Sequence, residues 1–141
     1  MLRYNRTGRN HLLYIKTNRR RGGFVENITM ENIEASGAKF GVLGIETDVL
    51  YQWRKLVPAY EERLTTIRGI TVRNVKIGKT ATPFRIFGDK DKPVTDVLLE
   101  SITIGTVEGK RQRYENTENV RENDIHIGKF IEAPDKTNKN K

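Results

Sequence analysis

An internal repeat, written in apolar residues, constrains this chain more than any single motif. Val25-Glu-Asn-Ile28-Thr-Met30-Glu-Asn-Ile33 places apolar side chains at steps of three, two and three. Ile67, Ile70, Val72 and Val75 repeat those steps, and so do Val94, Val97, Leu99 and Ile102. A degenerate fourth copy is expected from Val120, with Asn123 at its second anchor and Ile125 and Ile127 restoring the pattern. The anchors 25, 67, 94 and 120 lie 42, 27 and 26 residues apart. A period in the twenties means one supersecondary unit stacked on its neighbours. The inner step of two is strand alternation rather than a helical stripe. Each unit is too short for a propeller blade and lacks the helical segment of a leucine-rich repeat. The expectation is therefore an all-β chain, a parallel β-helix of about four to five coils that adds one strand per turn to each long face.

Asn27, Asn32 and Asn74, with Gly69 and Asp96 at positions matching Asn27, suit the corners of such a coil. These residues tolerate left-handed backbone and hydrogen-bond their own chain. A second apolar stretch recurs as Phe40-Gly-Val42-Leu43-Gly-Ile45 and Phe84-Arg-Ile86-Phe87-Gly88, the expected neighbouring face of the same coils. The long spacing of 42 then contains an insertion over 49–64, which holds Tyr51, the single Trp (Trp53) and Tyr60. Loops of this kind gather on one face of a repeat scaffold, often the binding face. The expected organisation is one partial domain over 1–132 and a polar tail over 133–141. A hydrophobic content of 35% against 31% charged residues suits a thin stack better than a compact ball.

Charge is concentrated at one end. Residues 1–25 hold Arg3, Arg6, Arg9, Lys16, Arg19, Arg20 and Arg21 and no acid, while the rest of the chain carries 19 basic and 18 acidic side chains. Nearly the whole net charge of +8 therefore lies in one stretch, which attracts polyanions of any chemistry. Stacking aromatics do not interleave it and no nucleic-acid motif is present, so nucleic acid is not the expected partner. The absence of cysteine excludes disulfides and thiolate metal sites. No apolar run is long enough to span a membrane as a helix, and residues 1–9 lack the apolar centre of a signal peptide. No cofactor motif, phosphate loop or serine-centred elbow is present.

The run Tyr14-Ile-Lys16-Thr17-Asn-Arg-Arg-Arg21-Gly22-Gly23-Phe-Val25-Glu-Asn27-Ile28-Thr-Met-Glu-Asn32-Ile33 resembles the "R-I-K-T … G-G-x-V-x-N-I-x-x-x-N-I" segment of glycoside hydrolase family 28, the polygalacturonases and related pectinases. Ile45-Glu-Thr-Asp-Val-Leu-Tyr51 is similar to the strand and tyrosine that follow it there. The resemblance spans residues 12 to 130 and implies a right-handed, single-stranded parallel β-helix acting on acidic polysaccharide, in a family typically secreted or periplasmic. It also implies what is missing. The family's "N-T-D", "D-D" and "G-H-G" segments precede the lysine motif, and none of them occurs here. His11 is too close to Lys16 to be the family histidine, and His126 lies far downstream. The chain thus resembles the C-terminal part of such an enzyme, truncated at its N-terminal end, with one wall of the cleft and no catalytic centre.

Under that resemblance the substrate-binding residues are Lys16, Tyr51 and the run Arg19, Arg20 and Arg21. Lys16 matches a lysine that clamps a uronate carboxylate, and Tyr51 matches a tyrosine near the reacting sugar. Tyr14 replaces the family arginine two residues before the lysine, leaving the arginine run to compensate with bidentate contacts. Trp53 either stacks on a sugar or fastens the insertion to the scaffold. Inverting hydrolysis needs two carboxyl groups about 6.5–9.5 Å apart. Glu46 and Asp48, spaced by two on one strand, would meet that separation, whereas Asp89 and Asp91 read as a solvated turn. A second reading is a basic polyanion-binding or structural β-solenoid without activity; a third is a stray reading frame that folds by self-association. In all of them Leu12-Leu13-Tyr14-Ile15 reads as a strand near an open N-terminal edge, and self-association is expected there.

Overall fold

The computed structural model describes the backbone of residues 2–4 and the full residues 10–48 and 62–131. Every regular element among them is a strand: β1 (Leu2–Tyr4), β2 (His11–Lys16), β3 (Phe24–Ala38), β4 (Gly41–Glu46), β5 (Thr66–Thr80), β6 (Phe84–Phe87), β7 (Val94–Val107), β8 (Gln112–Glu115) and β9 (Thr117–Phe130). The chain feeds two sheets alternately. Odd strands form one in the order β1-β3-β5-β7-β9, even strands the other in the order β2-β4-β6-β8. All the pairings between these strands are parallel. Parallel neighbours require long crossovers, and here the strand of the opposite sheet forms part of each one.

The repeat sets the register. Val25 lies opposite Ile67, and Ile70 opposite Val97, as the spacings of 42 and 27 require. Leu43 pairs with Phe84, so the second apolar stretches are adjacent strands of the smaller sheet. The fourth unit differs from its expected register. Val120 lies opposite Val97, the second anchor of its neighbour, and Thr117 takes the first anchor opposite Val94. The last spacing is therefore 23 residues. Val120, Ile125 and Ile127 still face inward, but Glu122 occupies the position of Leu99 and Val72.

Each inward step of three contains one residue that turns the strand. Asn27, Gly69, Asp96 and Asn119 form one column of positive φ, and Asn32, Asn74, Ser101 and Asp124 form a second. A left-handed residue adds one position without sending the next side chain outward, so the apolar residues on both sides of the bend point to the core. Asn74 Nδ2 donates to Asn32 Oδ1 at 2.5 Å and Asn119 Nδ2 to Asp96 Oδ1 at 2.6 Å, linking neighbours within the columns. The expected corners are thus bends inside the long strands. At a third bend, a Cβ on Gly78 or Gly105 would stand 2.4 Å or 2.6 Å from the carbonyl oxygen of the preceding strand.

The inward faces enclose one core, with Val42, Leu43, Ile70, Val72, Val75, Phe84, Ile86, Leu99, Ile102 and Ile104 fully buried. Its two ends differ. At the C-terminal end Glu122 receives a bidentate grip from Arg111 (2.6 and 3.2 Å) and a hydrogen bond from the Tyr114 hydroxyl at 2.8 Å. Burial pushes the Glu122 carboxyl up, but these donors outweigh it and hold the group below the ordinary value; burial and the same carboxylate push the Tyr114 hydroxyl up. A paired polar cluster therefore stands where the core pattern would put a leucine. At the other end β1 covers only Ile33–Ala35 of β3. Among the described residues, no strand pairs with the remaining outer edge of β3, where Phe24 is 72% and Ile28 37% exposed.

Candidate functional site

Among the described residues, the smaller sheet presents an open outward face built from alternate residues of short strands. Register aligns Tyr14, Gly44, Arg85 and Arg113 in one row and Lys16, Glu46, Phe87 and Glu115 in the next. Strand alternation sends these side chains away from the core while Leu43, Ile45, Phe84 and Ile86 point into it. Lys16 ends β2 on this face and is exposed. Glu46, opposite it, accepts the Tyr14 hydroxyl and faces Arg85 at 3.7 Å. Arg85 and Arg113 converge on the Phe87 ring, 4.6 and 5.2 Å from its centroid, and Arg113 lies 3.9 Å from Glu115.

His11 closes one side of the face. Its ring stacks on Tyr14 at 4.7 Å and 7°, and Phe40 lies 5.7 Å away. Gly44 makes this possible, since a Cβ there would stand 2.6 Å from His11 Nε2. Burial lowers the His11 pKa from the ordinary 6.5; nearby Glu46 opposes the shift and Arg85 adds to it. His11 thus serves as an aromatic packing element, and its burial favours the neutral ring.

The expected binding residues separate. Lys16 is on the open face. Asn18 caps the turn that follows, accepting from the backbone N–H groups of Arg20 (2.9 Å, through Oδ1) and Arg21 (3.2 Å, through the carbonyl), and both arginines are exposed there. Arg19 is drawn the other way. Its guanidinium contacts Glu62 at 2.8 Å, the buried Asp89, and Asp91 at 3.6 Å. The hydrogen bond to Glu62, with the adjacent Asp89, raises its pKa despite partial desolvation. Arg19 therefore fastens the turn to the end of the insertion and to the 89–92 loop. Backbone bonds from Arg63 N to Arg19 O (2.7 Å) and from Gly22 N to Arg63 O (2.8 Å) strengthen the same junction. Tyr51 and Trp53 lie outside the described residues.

The carboxylate pairs also differ from expectation. β4 ends at Glu46, so Asp48 stands beyond the strand and the alternation that would set their separation does not apply. Asp89 is buried rather than solvated; its Oδ1 accepts from Asp91 N at 2.9 Å, which shapes the turn. Among the described residues no group of three or more His, Asp or Glu is placed to hold a metal ion. Sequence reasoning missed Arg85, Phe87 and Arg113. Their signal was faint: an alternating Phe84-Arg-Ile86-Phe87 segment, and a Gln112-Arg-Tyr-Glu segment that becomes its neighbour only through the register. No protein-family profile and no curated protein sequence matches the chain.

Proposed function

We propose that this chain is the C-terminal part of a right-handed parallel β-helix of the pectin-degrading hydrolase type, and that its outward four-stranded face binds acidic oligosaccharides without cleaving them. The observation that carries this reading is the placement of Lys16 on the same open face as Arg85 and Arg113, in adjacent rows. A lysine is a compact charge for one carboxylate, and arginine forks suit others along an acidic chain. Two parallel sheets fed alternately by the chain support the coil. The absence of the family's aspartate segments, together with Asp89 engaged by Arg19, supports binding without hydrolysis.

The purified chain should release no reducing ends from polygalacturonate, and should bind trigalacturonate weakly and in a salt-sensitive way while ignoring neutral galactotriose. Lys16→Ala should weaken binding more than Lys139→Ala in the tail. Turnover that survives both Glu46→Gln and Asp48→Asn would refute the fragment reading. Equal affinity for DNA, unchanged by Lys16→Ala, would favour the general polyanion module instead.

A further inference from the structure

We infer that Arg85, Phe87 and Arg113 form a second carboxylate subsite, which takes a uronate of the same oligosaccharide at some distance from Lys16. The inference rests on the acidic-sugar reading for its ligand, but its geometry stands independently. Arg85 and Arg113 are direct register partners on β6 and β8, so their backbones lie about 4.8 Å apart and their like charges are forced together. Phe87 offsets this repulsion in part, because a guanidinium stacks on the negative face of a ring. The Phe87 ring lies within 4.6 and 5.2 Å of the two guanidinium carbons but offers no carboxylate, so it attracts the cations without replacing the forked N–H donation that a carboxylate receives.

Two other arginines provide the contrast. Arg19 and Arg111 hold carboxylates at hydrogen-bond distance, 2.8 Å and 2.6 Å, and serve the scaffold. The ion pairs of Arg85 and Arg113, at 3.7 and 3.9 Å, fall short of that distance. Their side chains remain 36% and 49% exposed. Glu46 is meanwhile shared with the Tyr14 hydroxyl. Phe87 does not stack on sugar in this arrangement, because the two cations lie over its ring; it positions them. Lys16 and Phe87 share a row with Glu46 between them, two strand spacings or about 10 Å apart. One ligand reaching both must be an oligomer rather than a single sugar.

The test is a titration of the full chain with trigalacturonate, followed through the side-chain Nε–H signals of Arg85 and Arg113 and repeated with acetate. Both signals should shift with either ligand. Arg85→Gln with Arg113→Gln should weaken trigalacturonate binding about tenfold or more, the loss of at least one charge-assisted contact. Phe87→Leu, which keeps the charges and removes the ring face, should weaken it less but measurably. Undiminished binding in the double glutamine variant would overturn the subsite and leave the sugar reading standing through Lys16. Shifts with acetate but no binding of trigalacturonate would remove the sugar reading and keep the carboxylate subsite. Silence of both arginine signals with both ligands in the unaltered chain would overturn the subsite whatever the variants do.

Discussion

Replacing Asn74 tests whether backbone handedness holds the stacked strands in register. Asn74 has φ of 54° in the column that continues from Asn32 to Ser101 and Asp124, and its side chain donates to Asn32 at 2.5 Å. Alanine loses that bond and must still occupy the left-handed region, at about 1–2 kcal/mol for the backbone. The bond is solvent-exposed and contributes toward the low end of about 0.5–1.5 kcal/mol. Asn74→Ala should therefore cost about 1.5–3 kcal/mol. Asn74→Gly loses the same bond and adds about 0.5–1 kcal/mol of unfolded-chain freedom, but meets no steric penalty, and should cost about 1–1.5 kcal/mol. With a urea dependence of about 2 kcal/mol per molar, the alanine variant should unfold near 1 M earlier than the parent, and the glycine variant about 0.5–0.75 M earlier. Urea titrations of the three proteins, compared at equal slope, measure this. Equal losses for alanine and glycine would refute the handedness argument and assign the effect to the side-chain bond alone.

Lowering the pH should weaken the fold in two separate windows. Folded His11 binds its proton less readily than the unfolded chain does, so its contribution is present above 6.5 and is lost as pH falls through the lower folded value; His11→Phe should flatten the stability profile between pH 7.5 and 5.5. Glu122, held below 4.5 by Arg111 and Tyr114, should add its own loss only at still lower pH, and a profile unchanged in His11→Phe would remove His11 from the account. The part of the outer edge of β3 that no described strand pairs, with Phe24 and Ile28 exposed, should pair head-to-head with a second copy. The cationic residues 1–25 of two copies repel, so dimer should increase as salt screens them; sedimentation showing a monomer at every ionic strength would refute this.

The apolar steps of three, two and three were enough to identify strands, to say which side chains face inward, and to place left-handed residues at Asn27, Asn32, Gly69, Asn74 and Asp96. These are local properties, since one residue's backbone preference and its neighbours' hydrophobicity set them. The last register was not legible, because a pattern of alternating twos and threes nearly matches itself after a shift of three. Val120 could serve as first or second anchor, and only the pairing of β9 with β7 decides between them, placing Glu122 rather than Asn123 at an inward position. The roles of the arginines were likewise hidden. Arg19 meets Asp89 across 70 residues of sequence, and Arg85 meets Arg113 across a strand pair, so composition alone could not divide the cations into those that hold the scaffold and those left on the open face. Charge is visible in a sequence, but whether a charge is already engaged depends on which strands the chain brings side by side.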